Sequence, residues 1–345
     1  MNSNTLIIGG GIIGLATALR LAGLGTQVTV VERGVCGGES SWAGGGILSP
    51  LMPWQYAPAV NALCNAGIAR YADWVAEIEA LSGIDPEYWT SGMRVLPPFD
   101  SSVAQAWCTA HGWRYELDDG ALWLPDVAQV RNPRLIKSLR TAVLARGVQL
   151  MEHTELQALH ISQQRIHGVT TTQGNLAADT VITCTGAWSQ GVLASEPPSK
   201  AIKPMRGQML LFKAPTGTLA TVIYQQGMYL IPRLDGHILV GSTVEDVGFD
   251  KSTDITTRNT LAEAAFAILP ALRDAEFIQH WSGLRPGSPD NIPTIARHPE
   301  IENLYINAGH FRYGVTMAPI SADLMAEMVL GQVSSMEVSA YQWRD

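Results

Sequence analysis

The stretch Leu6-Ile7-Ile8-Gly9-Gly10-Gly11-Ile12-Ile13-Gly14-Leu15-Ala16-Thr17-Ala18-Leu19-Arg20-Leu21 decides the fold. Three apolar residues with the length of a buried strand run into a GxGxxG turn, and an apolar helical stretch follows as far as Leu21. Strand, glycine turn and helix open a dinucleotide-binding βαβ unit. Gly9 permits the tight turn, Gly11 lets a pyrophosphate approach the backbone, and Gly14 with Ala18 keeps the helix close to the strand. The start of the helix offers its unpaired N–H groups to the phosphates. A second strand, Val28 to Val31, ends in Glu32, a carboxylate placed to hydrogen-bond a ribose diol and to repel a 2′-phosphate. NADP is therefore disfavoured and FAD or NAD favoured; the bland alternative is an ordinary tight βαβ turn.

Beyond Glu32, the loop holding Ser40, Ser41 and the triple glycine Gly44, Gly45 and Gly46 is too rich in glycine for a regular element and too long for a turn. Its functional reading is a second contact with a pyrophosphate and a flat ring, against that of a mobile surface loop. The pattern Ile68, Tyr71, Val75, Ile78, Leu81 predicts a packing helix over 66–81, stopped by Ser82-Gly83. Asn132 and Pro133 read as cap and first position of a helix over 134–146, with Gly147 ending it before a strand at 148–153. Residues 178–186 read as a buried strand ending at Thr185-Gly186, which returns the chain to the dinucleotide-binding sheet. Between 201 and 285, alternating runs separated by Gly and Pro predict antiparallel strands of a separate substrate domain.

With 345 residues, about two domains are expected. An apolar fraction of 46% and a charged fraction of 16% are those of a well-packed globular chain and exclude extended disorder. The net charge of −8 works against nucleic acid or an acidic membrane surface as partner, which leaves a small substrate. Cys36, Cys64, Cys108 and Cys184 have no metal-ligand or redox spacing and read as buried thiols of a reducing, cytoplasmic compartment. His153, His160 and His167 gather no metal ligands on one strand face, so no metal is expected. The apolar segment from Leu6 to Leu19 follows no Lys or Arg and is interrupted by glycines, unlike a signal peptide. No other run approaches the roughly 18 apolar residues of a membrane span.

Taken in order, the glycine fingerprint with Glu32, the Thr185-Gly186 strand end, the run GLRPGSPDNIPTI from Gly283 to Ile295 and the run GHFRYG from Gly309 to Gly314 resemble the D-amino-acid oxidase superfamily of FAD-dependent enzymes. The last two runs are most similar to the glycine oxidases of bacterial thiamine biosynthesis, and the likeness extends over nearly the whole chain. It implies an α/β fold. A Rossmann-like FAD-binding domain of 1–83, 131–200 and 286–345 would be joined to a mainly antiparallel β substrate domain of 84–130 and 201–285. It further implies that FAD is held by Gly9, Gly11, Ile12, Ile13, Gly14, Glu32, Arg33, Ser40, Ser41, Gly45, Gly46, Ile47, Leu156, Thr185, Gly186, His310, Phe311, Arg312, Tyr313, Gly314, Val315 and Thr316. With no cysteine after Cys184, the FAD is expected to be non-covalent.

By the same resemblance Arg285 holds the substrate carboxylate, as a planar guanidinium does in a bidentate, charge-assisted pair. Tyr229 adds a hydroxyl contact to that carboxylate, and Arg312 lies at the active site. The helix after GHFRYG, with Pro319 expected near its first turn, directs its N-terminus at the flavin. His310 and Phe311 contribute backbone only. Hydride would pass from the substrate Cα to flavin N5, dioxygen would be reduced to hydrogen peroxide, and the imine would yield a keto acid and ammonia (glyoxylate from glycine) or enter the thiazole of thiamine. Homo-oligomers are common in the family.

Two departures, Ile47 where well-known members carry methionine and Gly227 where a bulkier polar residue is usual, imply a reshaped pocket. Sarcosine or D-amino acids are then rival substrates, because a methylene of fit discriminates by only about 1–3 kcal/mol. Further alternatives are a dehydrogenase with another acceptor, a tRNA-modifying flavoprotein domain, an NAD-only enzyme and a non-catalytic nucleotide-binding subunit.

Overall fold

Strand Asn4–Ile8 is buried from Thr5 to Ile8 and its neighbour Gln27–Val31 at Val28, Val30 and Val31, with Thr29 half-buried, which is why they read as buried apolar runs. They belong to a six-stranded sheet in the order Thr294–Arg297, Leu304–Ala308, Thr180–Thr183, Asn4–Ile8, Gln27–Val31, Gln149–Met151. All neighbours are parallel except the first pair. The computed structural model describes residues 4–193 and 198–343. One face of this sheet carries Ile7, Val28 and Val30 against helices Ile12–Gly23, Pro58–Ser82, Asn132–Ala145 and Gly314–Val329. The other face, with Leu6, Ile8 and Val31, is covered by Ile166 and Val169 of a three-stranded antiparallel sheet spanning 156–177.

A second, eight-stranded sheet runs Glu276–Gly287, Lys203–Lys213, His237–Gly241, Met228–Pro232, Val222–Gln225, Met93–Val95, Ala121–Leu124, Glu116–Asp118. It is antiparallel apart from the pairing of Val222–Gln225 with Met93–Val95. The fold class is therefore the expected one, a Rossmann-like α/β unit with a mainly antiparallel β unit. Met209, Tyr229 and Ile231 point to one side of this sheet; Leu210, Phe212, Leu230 and Val240 point to the other.

Several local expectations are corrected. Residues 201–285 are not strands alone: helix Ile255–Ile268 covers the Leu210 side with Leu261 and Ala265, and Asp254 caps it through Thr257 N–H at 2.7 Å. The packing helix starts at Pro58 rather than 66 and ends at Ser82, with Gly83 left-handed (φ 68°) as expected for a helix stop. Asn132 is not a cap. It sits in the first turn of Asn132–Ala145, the side chain of the cap residue Arg131 makes no capping bond to the helix, and the Asn132 amide instead donates to the Ser41 carbonyl at 2.8 Å. The loop after Glu32 contains one helical turn, Ser40–Ala43. Pro319 lies inside helix Gly314–Val329, five residues past its start, and so deprives the Val315 carbonyl of its helical partner.

All four cysteines are free and buried. Among the described residues no His, Cys, Asp and Glu cluster could hold a metal, and no helix is long and apolar enough to cross a membrane.

Candidate active site

The glycine turn has the geometry its sequence requires. Gly9 has φ 105°, and a Cβ there would lie 2.5 Å from the Cys184 carbonyl oxygen; one on Gly14 would lie 2.0 Å from the Gly9 carbonyl oxygen. Helix Ile12–Gly23 can therefore sit directly on the strand, with Gly11 extended ahead of it. Ile12 N–H donates to Ser41 Oγ at 2.9 Å, so the Ser41 hydroxyl stands over the helix start with its own hydrogen still available. Both Glu32 oxygens accept backbone N–H groups, Gly10 and Gly34 at 2.8 Å each. An ionised carboxylate has further lone pairs, so these bonds orient Glu32 without exhausting it.

This turn opens into a cavity of about 470 Å³. It is lined by Gly9, Gly11, Ile12, Ile13, Glu32, Arg33, Ser40, Ser41, Gly45, Gly46, Ile47, Leu156, Thr185, Gly186 and His310 to Val315, and also by Tyr229 and Arg285. Of the residues read from the sequence as site residues, only Gly14 and Thr316 fall outside the lining. Gly14 serves the helix–strand contact, and the Thr316 hydroxyl donates to the Ile47 carbonyl at 3.3 Å.

The glycine loop is held from behind. Arg233, 4% exposed, donates to the Gly45 carbonyl at 2.8 Å and to Gln129 Oε1 and the Val130 carbonyl at 2.7 and 2.9 Å. Burial pulls its guanidinium down to about 10, which leaves it protonated at neutral pH. Because a trans peptide sets N–H opposite C=O, fixing the Gly45 carbonyl toward Arg233 turns the Gly46 N–H toward the cavity. At the rim, Arg33 stacks over Trp188 at 3.8 Å.

The two C-terminal runs are bonded to each other. Phe311 N–H donates to the Pro286 carbonyl at 3.1 Å and the Ser288 hydroxyl to the Gly309 carbonyl at 2.6 Å. Arg285 and the start of helix Gly314–Val329 are thus parts of one corner. Arg285 donates to the Ser242 hydroxyl (Nη2, 2.7 Å) and the Thr243 carbonyl (Nη1, 3.1 Å), and lies flat on Gly207, where a Cβ would be 2.0 Å from Nη1. Among the described residues these are two of its five N–H donors, leaving three. Among the described residues the Tyr229 hydroxyl meets only the Met209 thioether, a weak acceptor, at 3.3 Å. Arg312 Cζ lies 5.5 Å from the Phe311 ring centroid.

His310 is buried with its Nε2 3.0 Å from the Ser321 hydroxyl, and burial pushes it down to about 3, so it stays neutral and structural. Burial, then the neighbouring Tyr56, holds the Tyr313 hydroxyl protonated. Ser242, Thr243, Arg233, Asn132 and Trp188 were not singled out as site residues from the sequence. A Gly-Ser-Thr at a strand end is the only signal for Ser242 and Thr243, Asn132 reads only as a helix cap, and Arg233 and Trp188 carry no motif.

The donors and cradle fit an adenine dinucleotide: a helix start whose N-cap is a glycine, a hydroxyl above it and an oriented carboxylate at the second strand end. Residues 4–328 match the family model described as FAD dependent oxidoreductase (DAO). The chain is 40% identical to glycine oxidase of Pseudomonas putida over 99% of its own length and 98% of that protein's. It is 35% identical to the bifunctional protein ThiO/ThiG of Synechocystis sp., over 98% of this chain and 53% of that protein. The crystal structure of glycine oxidase from Geobacillus kaustophilus is similar with a TM-score of 0.92 at 25% identity, covering 99% of this chain and 98% of that one.

Proposed function

Since the chain belongs to the FAD-dependent oxidoreductase family, we propose that it oxidises the C–N bond of glycine, with Arg285 and Tyr229 as ligands of the substrate carboxylate and non-covalent FAD in the cavity. The observation that carries this reading is the guanidinium with three unused donors, opening into the same cavity as the glycine turn. When bound, FAD supplies the acceptor for the Cα hydride at N5, and dioxygen takes the two electrons onward to hydrogen peroxide.

The protein's part is positioning. Arg285 grips the carboxylate in a bidentate pair; Tyr229, exchanging its thioether for a charged oxygen, adds a third bond. The reacting carbon is then fixed relative to the start of helix Gly314–Val329, whose N–H groups and positive dipole end favour negative charge developing there. Arg312 adds a second positive charge at that corner. With His310 neutral and bonded to Ser321, the substrate amine gives its proton to solvent before it reacts. The imine takes up water to give glyoxylate and ammonia, or enters the thiazole ring in thiamine synthesis. The reading includes a homo-oligomer in the cytoplasm, the latter supported by four unpaired buried thiols.

Arg285→Ala tests the assignment. The variant should keep its FAD while the KM for glycine rises about a hundredfold, the effect of losing a charge-assisted pair of roughly 2–3 kcal/mol. An unchanged KM removes Arg285 from the carboxylate site.

A further inference from the structure

We propose that Ser242 is a third ligand of the substrate carboxylate, donating its hydroxyl hydrogen between Arg285 and Tyr229; this rests on the carboxylate site proposed above. Ser242 lines the cavity, and its oxygen accepts from Arg285 Nη2 at 2.7 Å. Among the described residues its hydrogen has no acceptor. A hydroxyl that has accepted one bond and not donated one, beside a cation and facing a cavity, is set to meet an anion.

A carboxylate offers about four lone-pair sites. A bidentate Arg285 fills two and Tyr229 a third. The fourth needs a donor on the same side, and Ser242 is placed there: it follows Gly241, the residue paired with Tyr229 across the sheet.

The hydroxyl sits on a stiff support rather than a loose loop. The Thr243 hydroxyl donates to Glu245 and accepts from Gln208 N–H at 2.9 Å. Arg206 and Glu245 exchange two backbone bonds of 2.9 Å, and the buried Arg206 guanidinium reaches Glu245 and, at 2.6 Å, Asp250. These bonds fix the backbone of 242–245, and with it both groups that touch Arg285.

The test is calorimetric titration of acetate into the FAD-loaded protein, with ligand-induced change in flavin absorbance as a second readout. Ser242→Ala should bind acetate roughly tenfold more weakly, as expected for one lost hydrogen bond to a charged group, with FAD content unchanged. Ser242→Cys, similar in size but a poor donor, should show the same loss and replaces Ser242→Ala if that variant fails to retain FAD. In an Arg285→Lys background Ser242→Ala should still weaken acetate, because its contact is with the ligand. Loss of the effect there would mean that Ser242 only props Arg285 and overturns the proposal. Unaltered acetate affinity in Ser242→Ala together with weakened affinity in Arg285→Lys overturns Ser242 alone. Unaltered affinity in both overturns the carboxylate site itself.

Discussion

His310 stands next to the predicted flavin contacts, yet its environment makes it a stability element rather than a base. Burial holds it down to about 3, whereas an unfolded histidine titrates near 6.5. A histidine depressed in the folded state contributes stability in full above its unfolded value, and this is lost as pH falls because the unfolded chain takes up the proton. As pH falls below about 6.5 the native protein should lose stability from this group, at a slope that reaches roughly 1.4 kcal/mol per pH unit between about pH 5.5 and 4.5. His310→Gln should be spared that part of the loss and keep only what His280, also lowered by burial, contributes there, since carboxylates held low by their partners, such as Glu245 and Asp235, begin to contribute only at lower pH. Urea midpoints of both proteins across that window decide the matter: parallel curves would show that His310 is not buried in its neutral form.

At this same scale the runs that line the glycine-turn side of the cavity were legible because their parts are contiguous. Gly9 to Gly14, Thr185-Gly186 and His310 to Val315 are short runs in which spacing is itself the geometry. The support for Arg285 was not, because Ser242 and Thr243 reach it across the sheet from a strand end with no periodicity. Arg233 belongs to no motif; only folding shows it under Gly45.

Among the elements, the helices carry the site's precision. Pro58–Ser82 crosses Gly314–Val329 so closely that a Cβ on Gly67 would lie 2.2 Å from the Thr316 carbonyl oxygen. Since both neighbours are backbone, Gly67→Ala must shift one helix against the other, at about 1–3 kcal/mol for overpacking. The shift falls on the first turn of the helix that meets the cavity, so we expect weaker FAD binding as well as a lower melting temperature. Fluorescence titration of the apoprotein with FAD would show it; native affinity would mean the helix start is not a cofactor contact.

Element boundaries were the weaker part of the sequence reading, for identifiable reasons. Pro58 opens a helix whose first two turns already bury Val60, Leu63 and Cys64, in step with Tyr71, Val75 and Ile78, so the apolar stripe starts earlier than the Ile68 from which it was read. Asn132 looked like a cap because Pro133 follows it, but its amide was needed by Ser41. Helix Ile255–Ile268 was hidden by the alternating strands around it, although Asp254 ahead of it is an N-cap signal.

Across the whole molecule, the active corner lies where the sheets meet. Strand Glu276–Gly287 runs twelve residues along the edge of the antiparallel sheet and delivers Arg285 to the point where Pro286 and Ser288 bond the GHFRYG turn. Neither sheet alone holds both the glycine turn and the proposed carboxylate ligands. That division explains why the overall architecture was readable, from one buried parallel pattern and one alternating pattern, while the way the two meet was not.

Anaerobic mixing of the FAD-loaded protein with glycine, sarcosine, D-alanine and D-proline, followed by peroxide assay in air, tests the central claim most directly. Rapid bleaching of the flavin, strongest with glycine and followed by peroxide release, is the predicted result. Stronger bleaching by D-alanine or D-proline, or none by any of the four, would contradict it.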